Sequence, residues 1–450
     1  MPSIPKTKKH LGLFGVFALA TGATLSSGFF LLPSFAVQIA GPAVVLAYLI
    51  AGLLLIPPML SKIELGTAMP RSGGAYYFLD RSLGPMVGTI GGLGIWLALV
   101  LKTAFALVGM GAYIQLFLPA ETGDSIYTFI ALGLVVFFAG LNILGAKKTT
   151  SFQIVLVVLL LSLLTWFLIA GSIAIRPANF DGFLDSGAMN IFSAAGLVFI
   201  SYVGVTKVIS VAGEIENPER NLPLGLFLAI GVAVIVYIVG VSVMVGVSGT
   251  ENLAHVNGEI NLTPASTVAR EITGSSTGAY IMAFAAIFAF LSVANAGILS
   301  ASRYPLAMSR DHLLPKLLRK VDGKGTPVIG IVVSASVIAI VILFLDPLKI
   351  AKLASSFQLL MFALLCIAVV VMRETKLDSY DPGFRAPFYP WLQIVGVISC
   401  LAIIVVMGWI PVLFSSAIIV VGVLWYFVYA RKRVERYGAL YHIFERLGRK

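Results

Sequence analysis

Apolar residues run in long stretches along most of this chain, interrupted by short charged clusters or by Gly and Pro turns. An α-helix of roughly 20 apolar residues crosses the hydrocarbon core of a bilayer, so runs of this length read as spans. They predict about twelve, near residues 12–38, 43–63, 86–118, 125–143, 152–174, 190–212, 222–246, 277–303, 327–345, 350–372, 390–409 and 411–430. The expected fold class is an all-α membrane protein. The first run follows Lys6, Lys8 and Lys9, the layout of a signal-peptide start, but continues through Phe29 to Ile39 without an A-x-A-like site. It is expected to be a retained helix.

Composition agrees. The 450 residues are 59% hydrophobic and 11% charged, against about 25% charged in soluble domains, so lipid must cover much of the surface. The formal charge of +11 would suit nucleic acid, but basic residues in a membrane chain mark cytoplasmic loops. With the N-terminus inside, 25 of the 31 Lys and Arg fall on the inner side. Arg176, Arg270, Lys349 and Lys352 fall outside, and Lys102 and Lys207 lie within spans. This bias predicts a multi-pass plasma-membrane protein with both termini cytoplasmic and no nucleic-acid partner. Cys366 and Cys400 sit inside apolar runs and read as packing residues, and no grouping suggests a metal, a cofactor or catalysis.

Residues 1–10 form a cytoplasmic tail, 11–430 the membrane unit and 431–450 a basic tail. The tail carries Val434, Tyr437, Leu440, Tyr441, Phe444 and Leu447 on one helical stripe, which predicts an interfacial helix. Its end at Gly448-Arg449-Lys450 leaves room for a further soluble domain. The polar outer stretch 247–276 is expected to hold a short amphipathic piece.

Two spans are poor continuous helices. The first has Gly22, Ser26, Ser27 and Gly28 near its middle and Pro33 beyond, and the sixth has Ser201, Tyr202, Val203 and Gly204. Backbone that leaves the helix inside a membrane must be satisfied by protein, water or substrate. Five spans separate the breaks, the spacing of a five-plus-five inverted repeat whose discontinuous helices meet at the midplane. Repeat one then covers about 11–175, repeat two about 190–372, and two further helices about 390–430. Freed amides suit a carboxylate and freed carbonyls an ammonium group. Close helix packing is the alternative use of such Gly and Ser residues.

The middles of the twelve spans hold no Asp, Glu or His, which argues against a carboxylate proton relay. Glu64 and Glu214 lie at expected cytoplasmic helix ends, while Lys102 stands midway along the third span. An ammonium there without a carboxylate is costly unless a ligand pairs it, so Lys102 is the leading functional residue. Lys207 lies nearer the cytoplasmic side and can reach the interface. Asn295, Ser292, Ser356 and Gln358 are candidate polar wall residues, or helix–helix glue.

SSGFFLLPSFAVQIAGP (26–42), ELGTAMPRSGGAYYFLDRSLGP (64–85), GEIENPERNLP (213–223) and NAGILSASRYPLAMSRDHLLPKLL (295–318) resemble the amino acid–polyamine–organocation superfamily, which has the LeuT-like fold. The resemblance covers nearly all of 10–430 and implies a secondary amino acid carrier. It makes the amides of Ser26, Ser27 and Gly28 the carboxylate cradle, although the family's G-S-G has Ser26 in its first place. The carbonyls near Ala23 and Thr24, with those of Ile200, Ser201 and Val203, become the ammonium cradle, beside Gly204. Ile200 replaces the tryptophan, and Thr206 the glutamate, of arginine/agmatine exchangers, which argues against those substrates. Lys102 resembles a central-cavity asparagine position. The lysine that proton-coupled relatives carry on the fifth helix has no counterpart near Leu160, leaving Lys102 as the coupling candidate, or exchange or uniport instead. Neutral or small amino acids are therefore expected, with protons as a candidate partner. Polyamine or potassium transport, and a non-transporting sensor, are the alternatives.

Overall fold

The computed structural model describes residues 11–69, 74–119, 126–144, 150–323, 325–378, 380–434 and 437–441, with backbone alone at 150–154, 210, 211, 213 and 214. The N-terminal tail, Arg71–Gly73 and most of the predicted interfacial helix, including Phe444 and Leu447, lie outside the described residues, as does the Glu214 side chain. Among the described residues ten helical stretches are long and apolar enough to cross a membrane. Two shorter apolar helices, Val328–Phe344 and Trp391–Val406, complete the predicted twelve.

The first span is broken as expected. It comprises α1 (Leu13–Thr24), α2 (Ser27–Phe30) and α3 (Leu32–Ala40). Leu25 and Ser26 leave helical geometry between α1 and α2, with φ/ψ of −74/86° and −149/−119°. The following spans are α4 (Val44–Ala68), α6 (Pro85–Gln115), α7 (Ile126–Leu144) and α8 (Thr150–Ile173), with the short α5 (Gly74–Leu83) between α4 and α6. The sixth span begins as α9 (Gly187–Val198) and then winds as a tight 3₁₀ segment over Phe199–Glu214. An open break was expected there, and the chain instead changes its hydrogen-bond register for 16 residues. Runs of 3₁₀ beyond 3–4 residues are uncommon and mark hinges or functional sites.

The second half continues with α10 (Pro218–Ala254), α11 (Pro264–Thr273), α12 (Ser276–Arg310), α13 (Val328–Phe344), α14 (Pro347–Thr375), α15 (Trp391–Val406) and α16 (Trp409–Trp425). α10 kinks at Gly249, whose φ of 72° only glycine adopts readily. The predicted amphipathic piece is α11, which buries Pro264, Ala265, Val268 and Ala269 behind a short antiparallel pairing of His255–Val256 with Glu259–Ile260. α1, α2 and α4 all pack on Phe199–Glu214, and α10 packs on α1 and α4. The long α6 lies against α7, α12, α13, α14 and α16. Two groups of helices thus meet at the breaks. Cys366 and Cys400 are buried and free.

Two charged residues near the end of α4 are more deeply engaged than the sequence indicates, and Glu64 stands near the helix end as expected. Lys62, counted by sequence with the inner-side charges, lies inside α4, 9% exposed, and donates to Thr206 O (3.3 Å) and Thr206 Oγ1 (3.0 Å). Its place inside the helix leaves the basic asymmetry intact. Glu64 is fully buried, and its carboxylate accepts from Arg373 Nε (2.8 Å), Arg373 Nη2 (2.6 Å), Tyr380 Oη (2.8 Å) and the Ala386 amide (2.8 Å). These bonds fasten the end of α4 to α14 and to the segment leading into α15. One to two turns earlier, Pro57 and Pro58 interrupt the hydrogen-bond ladder of α4, so the helix can bend there while its end stays fixed. Removing one partner of a buried ion pair costs about 3–5 kcal/mol because the other is left uncompensated. Glu64→Ala is therefore expected to lower the thermal unfolding midpoint in detergent strongly, with Glu64→Gln intermediate. An unchanged midpoint would show that the cluster holds nothing together.

Candidate functional site

At the first break the Phe29 and Phe30 amides both donate to Ser26 O (3.0 and 3.1 Å), and the Leu31 amide donates to Ser27 O (3.1 Å). The Ser27 and Gly28 amides precede these bonds and have no acceptor among the described residues. Ser26 Oγ, fully buried, and Thr21 Oγ1 are also without a partner. These donors are what a loop of Ser and Gly inside an apolar span should leave exposed once the helix ends.

The second break lies directly against the first. A Cβ added to Gly204 would run into the Ala23 carbonyl, and one added to Gly28 would run into Ser201. Glycine at 204 lets the two backbones touch, and glycine at 28 leaves room for the Ser201 and Tyr237 side chains. Ser201 is 1% exposed, and its Oγ lies beside the Tyr48 and Tyr237 hydroxyls without a close hydrogen bond among the described residues.

The carbonyls of the two breaks differ from the donors, because internal groups already reach them. Lys102 Nζ donates to Ile200 O (3.1 Å). Tyr237 Oη donates to Thr24 O (2.8 Å), with Ser201 O at 3.4 Å. Thr206 Oγ1 donates to Val203 O (3.1 Å). Tyr48 Oη donates to Gly28 O (2.6 Å) and Tyr113 Oη to Phe30 O (2.7 Å). Ser355 Oγ on α14 donates to Leu197 O (2.8 Å) and accepts from the Ile200 amide (3.2 Å). Tyr48, Tyr202 and Tyr237 form a ring cluster, with Tyr237 centred 5.3 Å from Tyr48 and 4.9 Å from Tyr202.

The structure therefore brings together Ala23, Thr24, Ser26, Ser27, Gly28, Lys102, Ile200, Ser201, Val203 and Gly204. Lys102, 2% exposed, projects from α6 onto the carbonyl that the resemblance assigned to the substrate's ammonium. Asn295 turns instead to α7, where its Oδ1 accepts from Asn142 (3.0 Å), the contact of helix–helix glue. Ser356 returns its hydroxyl to Leu353 O in its own helix (3.0 Å). Gln358 is buried on α14, and Lys207 is half-buried one residue past Thr206.

Sequence reasoning missed Tyr48, Tyr113, Tyr237, Ser355 and Lys62. The available signal was tyrosine inside an apolar span, whose hydroxyl needs a partner wherever the ring is buried. A groove of about 460 Å³ between α1 and α8, walled by Phe14, Phe17, Val157 and Leu161, is apolar and carries none of the break residues.

A family model described as amino acid permease matches residues 11–430. A branched-chain amino acid permease of Bacillus subtilis is 28% identical over 442 residues, covering 94% of each chain. A methylthioribose transporter of the same organism is 26% identical, again over 94% of each. A cationic amino acid transporter of Arabidopsis thaliana is 26% identical over 86% of this chain and 66% of its own. These relatives are carriers, not enzymes.

Proposed function

We propose, because this chain belongs to the amino acid permease family, that it is a secondary carrier of neutral or small amino acids working by alternating access at its two helix breaks. One observation carries the reading: donors at the first break that have no acceptor among the described residues stand against a second break wound as 3₁₀ helix. A substrate carboxylate meets the Ser27 and Gly28 amides. Its ammonium meets the carbonyls of Ala23, Thr24, Ile200, Ser201 and Val203. The spans containing α1–α3, α4, α9 and α10 rock against the remainder in the plasma membrane, with the termini cytoplasmic.

The substrate range follows from charge and space. Lys62 and Lys102 donate to the second break, and Lys207 lies on it. No described carboxylate bonds to Lys102 or Lys62. A substrate with an extra positive charge is therefore disfavoured, which also weighs against polyamines and potassium. Bulk is restricted where Gly28 and Gly204 meet their neighbours. Lys102 is the coupling group, since Leu160 on α8 is apolar and buried.

A thermal-shift screen of the purified protein against the common amino acids tests this. Neutral amino acids are expected to raise the unfolding midpoint, because a ligand held by the folded state stabilises it by mass action. Stabilisation by arginine, lysine or a polyamine, with none by neutral amino acids, would overturn the substrate assignment.

A further inference from the structure

We infer that the site also accepts 2-hydroxy carboxylates, the amine-free analogues of its amino acids, with Lys102 supplying the ammonium that such ligands lack. The inference rests on the carrier reading above for the place of the carboxylate. Its own support is the asymmetry between donors and acceptors at the two breaks.

Three of the acceptors already hold one donor each. Ile200 O receives Lys102, Thr24 O receives Tyr237 and Val203 O receives Thr206, while Gly204 covers Ala23 O. A substrate ammonium is a pure donor and must share a carbonyl that already has one donor, using its second lone pair, or displace that donor. Among the described residues the Ser26 and Thr21 hydroxyls, both 0% exposed, are left unpaired at the first break, and the Ser201 hydroxyl has only the Tyr48 and Tyr237 hydroxyls beside it. A ligand acceptor satisfies them as donors, and leaving them unmatched carries the full penalty of buried, unbonded hydroxyls.

Charge points the same way. Lys102 bonds to a neutral carbonyl and to no described carboxylate. A zwitterion brings no net charge to offset its ammonium, whereas a monocarboxylate brings one negative charge into a low-dielectric site. The ligand's 2-hydroxyl completes the fit. Unlike an ammonium it can accept from Lys102 while donating to a carbonyl, so it enters without expelling the lysine.

Matched pairs test this on the full chain: glycolate beside glycine, L-lactate beside L-alanine, 2-hydroxyisovalerate beside L-valine and 2-hydroxyisocaproate beside L-leucine. Thermal shift gives the affinities, and counterflow in proteoliposomes shows whether the bound acid moves. The hydroxy acid of each stabilising amino acid is expected to bind within about tenfold of it, the difference of roughly one hydrogen bond. Lys102→Met should weaken the hydroxy acid about 30-fold, the loss of one charged partner, and tighten the amino acid by removing its competitor. Lys102→Arg should retain hydroxy-acid binding. If an amino acid stabilises and its hydroxy acid does not, or if Lys102→Met shifts both members of a pair equally, the inference is wrong. Should Lys102→Met not fold, the parent pairs and Lys102→Arg decide. If no amino acid binds, the carrier reading itself fails.

Discussion

Gly28→Val is expected to abolish ligand binding in a protein that still folds and inserts. Gly28 faces Ser201 so closely that even a methyl group collides, and Ser201 Oγ and Tyr237 Oη lie 2.5 Å from the added Cβ. Both obstacles are side chains, which can yield at a cost of about 1–3 kcal/mol for overpacking. The branched valine then fills the approach to the Ser27 and Gly28 amides, where backbone must come close to a carboxylate. An affinity loss of about 100-fold or more follows from blocking that approach and from the strain on the closed form. Gly28→Ala should fall between parent and valine. Binding by a well-folded Gly28→Val protein at parental affinity would remove the first break from the site.

Lys102→Met is expected to keep a folded carrier and lose pH-dependent, concentrative uptake. An isolated ammonium near the bilayer midplane costs about 2.5–3.5 kcal/mol on insertion scales, and more in simulations. The structure gives Lys102 a single described partner, Ile200 O, on the second break. The charge state of Lys102 is thereby tied to the segment that the proposed transport cycle would rearrange, which would link proton uptake to occupancy. Methionine keeps the length and apolar stem but cannot carry the proton. Imposing a proton gradient on proteoliposomes separates the outcomes. Loss of gradient-driven accumulation, with exchange retained, is the expected result. Accumulation equal to the parent's would make Lys102 structural and pass the coupling role to another lysine.

The spans were legible because lipid forces each one to be apolar for most of its length and to satisfy its own backbone. The breaks were legible because Gly and Ser cluster where helical residues would otherwise be favoured. The 3₁₀ winding of the second break was not legible. Composition does not distinguish 3₁₀ from open backbone, and Phe199–Glu214 is held by Lys62, Lys102, Ser355 and Tyr237 from other spans. α5 was passed over because GAYYFLDRSL has no long apolar run, and its helix depends on burying Tyr76, Phe78 and Leu79. Lys62 closes the predicted span 43–63 and counts with the inner-side charges, and only the structure shows its ammonium turned inward to Thr206. Asn295 was a candidate for the cavity wall or for helix–helix glue, and the sequence could not choose because its partner Asn142 lies 153 residues away. Tyrosine escaped notice for a related reason: a hydropathy pattern counts the ring and ignores the hydroxyl.

The most direct measurement is uptake of a radiolabelled amino acid into proteoliposomes, using whichever amino acid raises the parent's unfolding midpoint. Paired Gly28→Val proteoliposomes are the control. A carrier built on these two breaks predicts saturable, time-dependent accumulation by the parent and none by the variant. Binding without movement by the parent would identify a sensor on a transporter fold, and uptake that survives Gly28→Val would place the transport site elsewhere.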